Sequence, residues 1–342
     1  MKRRFRLAAL SVTAALGAGA VAPAAAQSSV TVYGIVDLFA EIGSAGQGTV
    51  SRLESGGIAQ SRLGFTGRED LGGGLAAEFT LESGFAADTG STGSSFWSRQ
   101  SHVGLASRQW GAVRFGHQYT PLFLTTLAFD AFGLGTAGNF WNLSQYGNFW
   151  QDNAVVVETP VWGGFSLRGL WAPSERSGDG SGRYAALSAN YQAGPVQLVA
   201  SVDQRGVQAG AKAARYVAVG GNVDFTAAKL FFGVQTVRHA APAEAVNDDA
   251  RLYTLGVHVP VAANGRIAAS YGRRDDRSTA NQDASQWALG YFHSLSKRTT
   301  LYSVAGRLAN DAGGTLGIGY TPLPVLAGHV AKALQVGLQH TF

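Results

Sequence analysis

Cysteine is absent from the whole 342-residue chain, so neither disulfides nor thiolate metal sites hold it together. Proline is scarce, at 9 against 46 glycines, and mean hydropathy is close to zero, which fits a sheet protein with many turns. Long apolar runs are missing as well. After residue 26 none reaches the roughly 18 to 20 residues of a membrane helix. If the mature chain crosses a membrane, it does so as a closed barrel. Charge is sparse, and the formal +5 misleads because four of the 27 basic residues cluster at Lys2, Arg3, Arg4 and Arg6. Without them the balance is about +1, which gives no reason to expect a nucleic-acid partner. No GxSxG, HExxH, Walker or EF-hand pattern occurs, and the seven histidines are scattered singly. The composition therefore calls for no cofactor and no metal.

Those four basic residues precede a mostly Ala, Leu, Val and Gly run from Leu7 to Val21. Ala24-Ala25-Ala26 then offers small residues for cleavage before Gln27. This is the pattern of a secretory signal peptide over 1–26, cut between Ala26 and Gln27, leaving one domain over 27–342.

Ser61 to Phe85 shows what solvent the domain is built for, as two antiparallel strands joined by a glycine-rich turn at Asp70 to Gly74. Alternation puts Leu63, Phe65, Leu75, Ala77, Phe79 and Leu81 on one face, and Arg62, Thr66, Arg68, Glu78, Thr80 and Glu82 on the other. In a soluble sandwich the apolar face would meet a second sheet. In a membrane barrel it would meet lipid, with the charged face on a water-filled lumen. Sixteen period-two segments follow one another, at 28–42, 57–69, 73–86, 98–108, 111–118, 152–159, 163–172, 184–193, 195–204, 215–225, 228–239, 250–260, 264–273, 285–295, 298–309 and 332–342. Their connections alternate between short turns and long loops, the long ones beginning near 43, 87, 119, 173, 205, 240, 274 and 310. That alternation marks an outer-membrane barrel, and a Greek-key sandwich has no reason to keep it. The expected fold is all-β, a 16-stranded antiparallel transmembrane barrel whose strand number leaves an aqueous channel.

Arginines on alternate strand positions, such as Arg168 and Arg266, belong in the lumen, because an arginine turned outward at mid-membrane costs roughly 2–4 kcal/mol. Trp110, Trp162, Trp171, Phe225 and Phe342 fall near strand ends, where aromatic girdles sit. Residues 119–151 form a third long loop of about 33 residues, rich in Phe and Trp and including Tyr146. A solvated loop of that length would be polar. Its expected place is inside the barrel, narrowing the channel, the alternative being an external lid or a trimer contact.

The candidate constriction comprises Arg62 and Arg114 on lumen-facing positions, with Glu78 and Glu82 on the adjacent strand and Asp130 the only acidic residue between Asp88 and Asp152; Arg99 lies near a strand end, where alternation does not fix its face. Arg68 and Arg168 share the lumen by alternation. A net basic narrow zone would give a mild anion preference, and Glu78 and Glu82 on the adjacent strand would weaken it by neutralising Arg62 across the ladder. Gly133 to Gly138 satisfies GxGxxG but has no βαβ context, so it reads as loop glycines. A barrel enzyme would need His102, His258 or His293 beside Ser or Asp partners at the rim, and no neighbouring motif marks them. Arg273 to Arg277 reads as a solvated charge run, placed to touch lipopolysaccharide phosphates.

The segments SSVTVYGIVD, SRLGFTGREDLGGGLAAEFTLESGF, SHVGLASRQWGAVRFGHQYTP, LGYFHSLSKRTTLY and the closing VGLQHTF resemble the general porins of β-proteobacteria, of Neisseria, Bordetella and Comamonas type. The resemblance implies a homotrimeric diffusion channel for small hydrophilic solutes and ions in a Gram-negative outer membrane, with the third long loop in the lumen. It further implies that Phe342 is read by the barrel-assembly machinery, and that Arg62 and Arg99 lie at the constriction. The chain departs from the family at Trp150, where an arginine-led strand is usual, at His117, and at Gln339 before His340. These departures bear on selectivity. An alternative on the same fold is a substrate-selective channel for an aromatic or sugar-like solute, which the aromatic loop would serve.

Overall fold

The computed structural model describes residues 29–93, 95–144, 148–178, 180–207, 212–239, 249–278, 282–311 and 313–342. The cleavage site at Ala26 and Gln27, and Tyr146, lie outside them. Strands β1 (Ser29–Ser44), β2 (Thr49–Ser55), β3 (Arg62–Gly72), β4 (Leu75–Gly84), β5 (Gln100–Ser107) and β6 (Gly111–Tyr119) come first. Helices α1 (Pro121–Phe129) and α2 (Trp141–Ser144) follow. The chain continues through β7 (Trp150–Glu158), β8 (Phe165–Ala172), β9 (Tyr184–Ala193), β10 (Val196–Arg205), β11 (Ala214–Asp224) and β12 (Lys229–Arg238). It ends with β13 (Ala250–Val261), β14 (Gly265–Asp276), β15 (Ala284–Ser294), β16 (Thr299–Asn310) and β17 (Val330–Thr341).

Every pairing is antiparallel and, away from β1, joins sequence neighbours; β1 closes the sheet on β17 from Ile35↔Thr341 to Ser44↔Lys332. On its other edge β1 pairs β3 through residues 29–35 and β2 through 38–44. Strands β2 and β3 thus share one barrel position, so seventeen segments make a closed 16-stranded barrel. Closure gives every barrel position a partner on both sides, as hydrocarbon requires.

One boundary needs correction. The first connection is not a long loop from residue 43 but the four residues 45–48, and the second strand begins at Thr49 rather than 57. The strand then breaks at 56–61 and resumes at Arg62. Alternation across the break is lost, which is why a single segment starting at 57 was expected.

The β3–β4 hairpin turns where anticipated. Gly72, Gly73 and Gly74 all have positive φ, and Asp70 Oδ1 accepts the Gly72 N–H at 2.9 Å. Arg68 stands opposite Glu78 in register and Phe65 opposite Leu81, so charged and apolar residues take opposite faces. The whole barrel repeats this inversion of a soluble protein: Leu255 is 64 % exposed on the outside while Gln235 is fully buried inside. Trp110, Trp162, Trp171, Phe225 and Phe342 are all exposed, as a lipid-facing girdle would be.

Candidate functional site: the channel and the segments inside it

Thr120 caps α1 by accepting the Phe123 N–H at 3.2 Å, with Pro121 in the first turn. From there the chain crosses the inner face of β11 to β16. Six successive strands each present a glycine to it. Phe129 lies on Gly220 and Gly233, Ala131 on Gly256, Leu143 on Gly272, Phe132 on Gly290 and Ala137 on Gly306, where a Cβ would come within 3.0 Å of the segment. The glycines form a groove that a side chain at any of them would fill. Polar wall residues then hold the backbone laid into it. Asn222 donates to Ala128 O at 2.8 Å, Gln286 to Asn139 O at 3.0 Å and Arg274 to Leu143 O at 2.9 Å, while Gln335 Oε1 accepts the Ala137 N–H at 2.8 Å. His258 donates to Ala131 O at 2.6 Å.

A second segment lies beside the first and was not anticipated. Leu316 and Ile318 are buried, the Gly319 N–H donates to Asn142 Oδ1 at 3.0 Å, and Arg52 donates to Thr321 O at 2.8 Å. The described part of the last long connection, 313–329, therefore also occupies the lumen. Its backbone contacts gave no period or motif to read.

The strand break at 56–61 has its cause in Asp37. Its Oδ2 accepts the Ile58 and Ala59 N–H groups at 2.9 and 3.0 Å and Gln339 Nε2 at 2.9 Å, and Oδ1 accepts Tyr302 Oη at 2.6 Å. The bulged backbone then receives the inner segment, with the Gly135 N–H donating to Gly57 O at 2.8 Å. Gly133 and Gly135 sit against the backbone of Ile58 and Gly56. The GxGxxG glycines thus serve a close backbone approach. Gln339, noted as a departure from the family, is one of the residues that fix this junction.

The predicted constriction residues fall on one wall. Arg99 is 2 % exposed, with its Nε 2.7 Å from Glu82 Oε1 and its remaining nitrogens on Gln60 Oε1 and Tyr119 Oη. Arg62 lies farther out, 3.8 Å from Glu82 Oε2 and donating to Gln60 O at 3.1 Å. Arg114 binds both Glu78 and Glu158, Glu158 also binds Arg168, and Arg68 approaches Glu78 at 3.4 Å. Arg52 takes Glu41 and Glu54. Each glutamate of this wall is thereby matched by arginine. Glu82 stands beside both Arg62 and Arg99, and Glu78 beside Arg68 and Arg114, so these carboxylates offset the arginines across the ladder.

Asp130 is placed differently from expectation. It is buried beneath the inner segment, where Oδ1 accepts the Phe132 N–H at 3.0 Å and Oδ2 the Phe140 N–H at 3.3 Å. Burial raises its carboxyl to about 8, so at neutral pH it adds little negative charge to the channel. It shapes the loop and does not line the pore.

His293 approaches Tyr291 Oη at 3.1 Å and His258 is spent on Ala131 O, so neither meets a Ser or Asp. His117 contacts Asp152 at 2.5 Å and Ser98 O at 3.2 Å. The run 273–277 is not wholly solvated as expected: Arg273 and Arg277 pair with Asp283 and Asp275 outside, whereas alternation along β14 turns Arg274 and Asp276 inward, where both are buried. Among the described residues no cluster of His, Cys, Asp or Glu is arranged to hold a metal ion.

A closed barrel with an apolar exterior, a charged interior wall and two chain segments inside it is a membrane channel. The Gram-negative porin family model matches residues 9–313. Outer membrane porin protein 32 of Delftia acidovorans is 33 % identical over 98 % of this chain and 99 % of its own length. An outer membrane porin of Bordetella pertussis is 28 % identical over 97 % of this chain and 99 % of its own. The anion-selective porin from Comamonas acidovorans superposes with a TM-score of 0.80 at 30 % identity, covering 92 % of this chain and all of that one. Vibrio cholerae OmpT, in a trimer form, shares the fold at 17 % identity and a TM-score of 0.67, over 92 % of this chain and 99 % of its own. The chain belongs to the Gram-negative porins. It is a channel of the Gram-negative outer membrane for passive diffusion, and not an enzyme.

Proposed function

We propose that the channel passes small hydrophilic solutes and ions with a mild preference for anions, set on the lumen wall and assembled as a homotrimer. The observation that carries the preference is an imbalance of pairing. Each glutamate of the near wall is matched by arginine, whereas on the far wall Arg266 stacks 4.5 Å over the Phe292 ring with no carboxylate partner among the described residues. A low-dielectric wall focuses such an excess into the pore. The similarity to an anion-selective porin agrees with this, and the trimer form of a structural neighbour supports the assembly. Lipopolysaccharide phosphates at Arg273 and Arg277, and recognition of Phe342 by the assembly machinery, belong to the same reading. Phe342 exchanges backbone hydrogen bonds with Gly34 at 3.1 Å, which holds the chain end in the closing seam.

The test is zero-current potential across a KCl gradient in planar bilayers. Arg62→Ala with Arg266→Ala should move an anion-selective potential to neutrality or to cation preference. An unchanged potential, or a cation-selective wild type, would sink the assignment. Arg99 is the wrong residue to remove, because truncating one partner of its buried pair costs about 3–5 kcal/mol of stability and confounds the reading.

A further inference from the structure

Two cavities open on the lumen side by side and share Trp150 and Tyr320. One, of about 500 Å³, has Trp141, Phe149, Leu134 and Pro322 in its lining and carries no ionisable group apart from the Tyr320 phenol. The other, of about 420 Å³, is bordered by hydroxyl and amide side chains, among them Gln60, Ser61, Ser98 and Thr321. Volumes of this size lie within the ~300–1,000 Å³ of small-ligand sites. The aromatic walls are fixed by one another. Phe149 sits 4.7 Å from Trp141, 5.4 Å from Trp150 and 6.4 Å from Tyr320, centroid to centroid.

Charge decides what such a cleft accepts. Its lining contains one cation, Arg99, whose guanidinium is already engaged by Glu82, Gln60 and Tyr119 and lies 5.4 Å over Trp150. Glu54 is engaged by Arg52 and Thr321. Asp88 is the remaining charge, and it repels a carboxylate. An aromatic acid would find no free cation there. A pyranose ring needs none: its C–H face stacks on an aromatic plane and its hydroxyls exchange hydrogen bonds with neutral hydroxyl and amide groups.

We propose that the cleft between the two inner segments is a saturable binding site for a neutral saccharide, with the exposed ring of Tyr320 as its stacking platform, Trp150, whose ring already carries Arg99, as an aromatic side wall, and the Gln60, Ser98 and Thr321 side as its polar edge. The proposal rests on the channel reading but adds a bound state to it. Tyr320 is 43 % exposed, so replacing it leaves the barrel wall intact.

In planar bilayers, glucose and maltose are titrated against ion current, beside a polyethylene glycol of matching size and benzoate. Maltose should block saturably, with half-saturation raised about tenfold or more in Tyr320→Ala and in Trp150→Ala, and by less in Trp150→Phe. The polymer should reduce current without saturation. A linear saccharide effect, a saturable block unaltered in both alanine variants, or block by benzoate alone overturns the proposal while leaving the diffusion channel standing. If folded protein gives no discrete conductance, the diffusion reading fails separately. Quenching of intrinsic tryptophan fluorescence by maltose in detergent then decides the site: saturation lost in Tyr320→Ala supports it, and a flat titration overturns it. Heat-modifiable gel migration verifies that each variant is folded.

Discussion

At the scale of single residues, burial separates side chains that look alike in the sequence. Arg62 and Arg99 are both strand-end arginines, yet Arg99 is locked to Glu82 at 2.7 Å and Arg62 stands 3.8 Å from the same carboxylate. Asp130 was expected in the pore because it is the one acidic residue for a long stretch, and it is instead buried with two backbone donors. Its raised carboxyl makes a pH prediction. From the ordinary value of 3.8 up to about 8, the folded state keeps a proton that the unfolded chain has lost. Its contribution is therefore full below the lower value and is lost as pH rises through about 8. The slope approaches ~1.4 kcal/mol per pH unit within that window. Thermal unfolding in detergent should give a lower Tm at pH 9 than at pH 5 for the wild type. Asp130→Asn should flatten that difference, and a difference of the same size in the variant would exclude Asp130 as its source.

At the scale of elements, the strands were legible and the segments between them only partly so. Alternation and turn chemistry are local, and they placed the β3–β4 hairpin and the short turns after it. The six interior glycines of β11 to β16 are the sequence signal for the inner segment. A glycine in mid-strand weakens a sheet and so marks a place where another chain comes close, and a row of them on consecutive strands marks a track. Filling the track should expel what lies in it. Gly233→Val places a branched side chain where Phe129 now rests, and Gly272→Val does so beneath Leu143. Each should raise single-channel conductance, with a folded barrel by gel migration and larger permeating polymers in exclusion measurements. Conductance unchanged in both would mean that this segment does not limit the pore.

At the scale of the whole molecule, stability depends on a belt of exposed apolar side chains that would be a fault in water. Leu255 stands near the middle of β13 on that belt. Leu255→Arg should destabilise the barrel by about 2–4 kcal/mol in lipid vesicles, measured by equilibrium urea unfolding, whereas Leu255→Val should stay close to wild type. Equal stabilities would place residue 255 away from the hydrocarbon centre.

The sequence by itself determined the barrel, its strand number and which face of each strand meets lipid, because period-two alternation is set residue by residue by the two solvents on either side. It also turned Arg62, Arg68, Arg114 and Arg168 toward the lumen by alternation. Tertiary structure decided the rest: that 313–329 enters the lumen, that Asp37 breaks the second barrel strand, and that Arg266 has no carboxylate partner among the described residues. These depend on contacts such as Ala137 N–H to Gln335 at 2.8 Å, between residues 198 positions apart. Such partners are chosen by closure and register of the whole sheet, and no local pattern of residues encodes them.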